Sequence, residues 1–280
     1  MNKFTTTSLS LLILIIFFSL SCGLIPRPAN TATPSLTVHF IDVGQGDAIL
    51  IDSGSTEILI DAGEKSSGAV DYIKNYVNGP IEAMIATHSH TDHIGGLIPV
   101  LEHFSIGDIW LNGENASTKT FAEFMNMVNA EHAVIHRAER GNLIKPGTLT
   151  LQVLHPAPSF SGDANGSSIV VSMVYGGFKF LFTGDADSEA ETDMLYSLFD
   201  VDILKVAHHG SRYSSSPEFL AAVKPEVAIY CAGTGNSYGH PHTETINALN
   251  TAGAKVYGTD TGGTITIKTD GKTCVITTAR

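Results

Sequence analysis

Thr87-His88-Ser89-His90-Thr91-Asp92-His93-Ile94-Gly95-Gly96 puts four metal-competent side chains, His88, His90, Asp92 and His93, within six residues. The apolar run 80–86 before it reads as a buried strand, and residues 96–103 after it read as a helix. A strand end that delivers His-x-His-x-Asp-His into a turn is a metal site by chemistry. Neutral imidazole and carboxylate are ligands that zinc takes, and this spacing lets one loop grip two ions from two sides. The bland alternative is a His-rich surface loop. With 12 His in 280 residues, such clustering is rare by chance.

Composition sets the frame. The chain is 43% hydrophobic and 16% charged, enough for a proper core in one large or two small domains. The formal net charge of −12 opposes strong non-specific binding to phosphate backbones, although a local basic patch or bound metal could still take an anionic substrate.

The N-terminus reads as a targeting segment. A short basic start leads to a nearly continuous apolar run, 9–20, too short for a comfortable membrane span. Ser19-Leu20-Ser21-Cys22-Gly23 is similar to a bacterial lipoprotein signal, with Cys22 as the lipidated residue, although Ser19 stands where Leu is usual. We therefore expect a signal segment at 1–22, a Pro- and Thr-rich disordered tether at 23–35, and one hydrolase domain at 36–280, exported and lipid-anchored to the membrane. Cys231 and Cys274 are expected as buried thiols rather than a disulfide.

Organisation follows from the run of elements. Strands at 36–43, 48–52 and 57–61 are joined by turns too short for parallel crossovers, so they form an antiparallel meander. A helix at 70–77 precedes the strand that enters the metal loop. The second half repeats this style. Strands are expected at 148–154, 169–175, 178–183, 201–207, 226–231 and 254–258, helices at 188–198, 217–223 and 243–252, and a terminal hairpin at 263–277. Two such α/β halves suggest sheets packed face to face with helices outside.

Two ions need more ligands than one loop supplies, and strand ends can aim them. Asp185 follows the apolar strand 178–183 and could bridge two cations; its alternative is a helix N-cap. His208 and His209 follow another strand. Adjacent strand residues point to opposite faces, so one reaches metal, with His209 favoured, and His208 orients it or contacts substrate. His155 stands at a strand end as a further ligand candidate, or else as a hydrogen-bonded His. His240 could complete the site or act as an acid for the leaving group. Asp92, His240 and His208 are thus the catalytic candidates. Metal-bound His usually donates its other N–H to a carboxylate, for which Asp42 and Asp61 are candidates, with ordinary turn capping as their equal alternative.

Together, residues 87–96, Leu59-Ile60-Asp61-Ala62-Gly63 and Phe182-Thr183-Gly184-Asp185 resemble the metallo-β-lactamase fold superfamily. Three further stretches, 39–48, 204–211 and 236–241, are similar to the hydrolase domain of ComEC-type DNA-uptake (competence) proteins. The resemblance implies a four-layer αβ/βα sandwich with the site at one edge. It implies His88, His90, Asp92, His93, Asp185 and a His of the 208–209 pair as ligands. His90 stands where ComEC-type domains often carry Asp, which brings the set nearer the ordinary dinuclear zinc pattern and loosens transfer of substrate.

The expectation is an exported, dinuclear metal-dependent hydrolase, with zinc or alternatively manganese. His88 and His90 hold one ion, Asp92 and His93 the other, Asp185 bridges, and a bridging hydroxide attacks. The leading substrate is a phosphodiester in nucleic acid, as for a nuclease. Another phosphoester, a lactone or a β-lactam is the alternative among enzymes. A non-catalytic DNA- or partner-binding lipoprotein is the alternative outside them. No protein partner is inferred.

Overall fold

The computed structural model describes residues 35–280, so the signal segment, the lipidation site at Cys22 and nearly all of the tether lie outside the described residues. Among the described residues, fifteen strands are β1 (Leu36–Phe40), β2 (Ala48–Asp52), β3 (Glu57–Ala62), β4 (Ile81–Ala86), β5 (Ile106–Leu111), β6 (Val134–Arg137), β7 (Leu143–Ile144), β8 (Leu151–His155), β9 (Val170–Tyr175), β10 (Phe178–Phe182), β11 (Ile203–Lys205), β12 (Val227–Tyr230), β13 (Lys255–Gly258), β14 (Ile265–Thr269) and β15 (Cys274–Thr278). They form two sheets, ordered β15-β14-β1-β2-β3-β4-β5-β6 and β13-β12-β11-β10-β9-β8-β7.

Both sheets follow one plan, an antiparallel meander that switches to parallel strands. β1, β2 and β3 pair antiparallel, and β4, β5 and β6 continue in parallel. β8, β9 and β10 pair antiparallel, and β11, β12 and β13 continue in parallel. The duplication visible in the run of elements is therefore real at the level of topology. The terminal hairpin β14–β15 joins the first sheet beside β1.

Period-2 patterning assembles the layers. In β3, Ile58 and Ile60 enter the core between the sheets, where Phe180 and Phe182 of β10 meet them. Leu59 points the other way, under α1 (Ala69–Ile73), α2 (Thr91–Ile94), α3 (Leu97–His103) and α4 (Lys119–Ala130), with Ile73, Leu97, Phe124 and Val128. Leu181 and Leu204 do the same on the second sheet, under α5 (Ser188–Met194), α6 (Pro217–Val223) and α7 (Thr243–Thr251), with Met194, Phe219 and Leu249. The result is the expected four-layer αβ/βα sandwich.

Local differences are instructive. Residues 91–94 form the short helix α2 rather than an open turn, because the His90 carbonyl accepts from both His93 and Ile94. Strand 201–207 contracts to β11. His208 (φ 50°) and His209 (φ 54°) then adopt left-handed backbone in a 3₁₀ turn, so strand alternation is not what separates their side chains. Helix 188–198 ends at Met194 and gives way to a 3₁₀ turn at Leu195–Ser197. Cys231 is buried, whereas Cys274 is exposed on the edge strand β15; both are free thiols. No helix among the described residues is long and apolar enough to cross a membrane.

Candidate metal centre

The C-terminal ends of the parallel strands converge at one edge, the place where open α/β sheets leave a crevice. From the first sheet come Asp61 at the end of β3 and the segment 87–93 after β4. From the second come Asp185 after β10 and the 207–210 turn after β11. Asp61 and Asp185 therefore occupy matching places in the duplicated plan. Asp61 is buried and itself left-handed (φ 55°), a conformation Asp tolerates better than most residues.

Two clusters share Asp185. Ligand atoms of Asp47, His93, Asp185 and His209 lie within 4.8 Å of one another, and so do those of His88, His90 and Asp185. Asp185 Oδ2 lies 3.3 Å from His93 Nε2, 3.4 Å from His209 Nε2, and 3.9 Å from both His88 Nε2 and His208 Nε2. Asp92 Oδ2 approaches His209 Nε2 at 3.4 Å.

The rings are aimed from behind. His93 Nδ1–H donates to Asp61 Oδ2 at 2.8 Å, and Asp61 also accepts from the Thr87 amide (2.8 Å) and the Thr87 hydroxyl (2.6 Å). His209 Nδ1–H donates to the Cys231 carbonyl at 2.9 Å. In both rings Nε2 is thereby turned toward Asp185, the arrangement that orients metal-bound imidazole.

The chemistry of the donors fits divalent metal. His93 Nε2, His209 Nε2, His208 Nδ1, Asp47 Oδ1 and Asp185 Oδ1 are buried with no hydrogen-bond partner among the described residues. A buried polar group left unpaired costs about 1–3 kcal/mol. The two Nε2 atoms flank the Asp185 carboxylate, and these three groups make sense together if a cation satisfies them. Burial opposes charge on His93 and His209, yet the Asp185 carboxylate outweighs it and holds both rings protonated above the usual imidazole range. Burial likewise opposes ionisation of Asp185, but the charges of His209 and His93 keep it well below the usual carboxylate range. A divalent cation bound here would displace those ring protons.

The remaining sequence candidates separate. Asp92, His90, His208 and His240 line a cleft of about 390 Å³ with Gln45, Asn165, Asp185, His209 and Tyr238. His240 stacks on the exposed Tyr238, ring centroids 5.7 Å apart. Burial, then the charges of His209, His208 and His242, push His240 down to about 4, so it faces the cleft as neutral imidazole rather than as a standing acid. His242 is the N-cap residue of α7.

Two expectations need correction. His155 is buried but belongs to neither cluster, because both ring nitrogens are engaged elsewhere. Nε2 contacts the Gly166 carbonyl at 2.8 Å, and Nδ1 lies 3.2 Å from Asp193. Asp42 orients no imidazole; it pairs with Arg280 and caps the Gly44 amide at 3.2 Å.

Asp47 and Lys205 were missed as site elements. Lys205 Nζ lies 2.7 Å from Asp47 Oδ2, with both side chains buried. Burial would raise the Asp47 carboxyl, but the Lys205 charge brings it below its ordinary value. A Lys inside the apolar strand 201–207 was the available signal.

The family model for the metallo-beta-lactamase superfamily matches residues 41–234. ComE operon protein 3 of Bacillus subtilis is 29% identical over 252 residues, covering 81% of this chain and 32% of that one. Competence protein ComA of Neisseria gonorrhoeae is 29% identical over 249 residues, covering 85% and 33%. The chain thus spans about a third of the length of the curated relatives it matches. The metallo-beta-lactamase fold protein YhfI of Bacillus subtilis superposes with a TM-score of 0.57 at 15% identity, covering 84% of this chain and 99% of that one, a likeness of fold.

Proposed function

The chain belongs to the metallo-β-lactamase superfamily, and from that premise we propose that it is a two-metal phosphodiesterase acting on nucleic acid outside the cytoplasmic membrane. The coarse activity, metal-dependent hydrolysis, comes with the family and its candidate metal site. The observation that carries the finer reading is Asp185, one carboxylate shared by two separate His clusters. A carboxylate so placed can give one oxygen to each of two ions.

His88 and His90 would hold one ion, and Asp92, His93 and His209 the other, with Asp185 between. Bound divalent ions supply Lewis acidity and lower the pKa of water toward neutrality. Zinc suits the imidazole-rich donor set, and manganese suits the carboxylates. Asp61 and the Cys231 carbonyl hold the rings in register. His208, His240 and Tyr238 form the imidazole- and phenol-bearing wall of the cleft. As a neutral ring, His240 can hold a substrate oxygen through an N–H.

Nucleic acid is favoured by the competence-protein relatives, and the net charge of −12 weighs mildly against it. Placement outside the membrane, with a lipid anchor at Cys22, rests on the N-terminal sequence. The test is turnover by the purified protein with zinc or manganese. Substrates are single- and double-stranded DNA, bis-nitrophenyl phosphate and nitrocefin. Cleavage of DNA and the phosphodiester, abolished in D92A and D185A together with metal binding, is expected. Cleavage of nitrocefin alone would move the substrate to β-lactams. Full activity in D185A would refute the shared-carboxylate mechanism.

A further inference from the structure

We propose that the Asn165 side-chain oxygen is an additional ligand of the ion held by His88 and His90, presented by a turn that His155 braces. This rests on the two-ion reading above. The His88–His90–Asp185 cluster offers three protein ligands, and Asn165 lines the same cleft as His90 and Asp185. Asn165 Oδ1 is buried and has no hydrogen-bond partner among the described residues. An amide oxygen in that condition is an acceptor in want of a donor or a cation.

The backbone around Asn165 is fixed on every side. Within the turn, the Gly166 amide donates to Asp163 Oδ1 (2.8 Å) and the Ser168 amide to the Asn165 carbonyl (3.0 Å). From outside, His155 Nε2–H donates to the Gly166 carbonyl (2.8 Å) and Asn112 Nδ2–H to the Ser167 carbonyl (3.1 Å). The turn is tied directly to the site as well. The Asp185 amide donates to Ser168 Oγ (3.1 Å), and the Ile169 amide donates to the carbonyl of Thr87, the residue before His88. So many restraints on a short polar turn are accounted for if Asn165 must be aimed. His155, which the sequence offers as a ligand, becomes a positioning residue acting through Asn165.

The test measures metal directly. Chelator-stripped protein is titrated with zinc and with manganese against a chromophoric chelator, and bound metal is counted by elemental analysis. Wild type is expected to take two ions. N165A should keep one and bind the other at least about tenfold more weakly, the scale of loss seen when a group around a metal site is removed. N165D, which retains an oxygen and adds charge, should restore the second ion. Asn165→Leu, which keeps the volume without the oxygen, replaces N165A if that variant does not fold. Two ions at wild-type affinity in N165A or Asn165→Leu would overturn the proposal alone and leave the two-ion reading standing. A wild type that binds fewer than two ions would overturn both.

Discussion

Lys205 Nζ sits 2.7 Å from Asp47 Oδ2, and neither side chain is exposed to solvent. Asp47 Oδ1 in turn lies 3.3 Å from His209 Nδ1. A buried ion pair therefore stands directly behind the ring that faces Asp185. Removing one partner leaves an uncompensated buried charge, which costs about 3–5 kcal/mol. K205M should lose stability on that scale in urea denaturation. The double variant D47L/K205M, which removes both charges, should recover most of it. Equal destabilisation in both variants would deny the pair its role.

Asp61 and His93 give a cleaner functional test, since Asp61 touches the ring but lies behind it. D61N keeps the shape while weakening the 2.8 Å bond to His93 Nδ1. Metal affinity should fall about 10–100-fold for one ion. Measured by competition titration, unchanged affinity would show that Thr87 and packing alone orient His93.

Gly46 has φ +132°, and a Cβ there would meet the Asp92 carbonyl oxygen. The Asp47 amide donates to that same carbonyl at 3.2 Å. G46A must therefore push α2 away from the turn before β2. A loss of about 1–3 kcal/mol in stability is expected from the strained backbone, with weakened binding of the Asp92/His93 ion. Denaturation and metal titration on the same sample would check both.

Glu191 supplies a pH signature away from the metal centre. Its carboxylate accepts from the Ser215 amide (2.5 Å) and the Ser216 amide (2.9 Å), anchoring the chain that follows the His208–His209 turn. Burial nevertheless pushes its carboxyl up to about 7 from an ordinary 4.5. A raised folded-state pKa means stability fully present below about 4.5 and lost as pH rises through about 7. The full change is about 3 kcal/mol. Set against E191Q, wild type should lose relative stability between pH 4.5 and 7 and then level off. A constant difference across that range would refute the shift.

The legibility of the site differed from residue to residue. His88, His90, Asp92 and His93 stood out as candidates because their spacing is local and their side chains are metal-competent; His88, His90 and His93 enter the two clusters, and Asp92 lines the cleft. Asp185 and His209 were readable as polar residues just beyond apolar strands. Asp47 sits in a Gly-rich turn, and its nearness to His93, Asp185 and His209 depends on groups distant in sequence. His155 shows the opposite failure. A His at a strand end looks like a ligand until both nitrogens are found engaged by Gly166 and Asp193.

The sequence by itself determined the layered fold, since period-2 and helical patterning state which face of each element is apolar. It picked out the candidate ligands of 88–93 as well, because they are neighbours in the chain. Only the tertiary structure decided which distant groups complete the centre. That Asp61 backs His93, that Asp185 is common to two clusters, and that Asn165 rather than His155 faces the cleft all depend on where strand ends from two sheets meet. Strand position tells which end of a sheet a residue occupies. The direction of its polar atoms is set by hydrogen bonds to partners far away in sequence, and no local pattern encodes those.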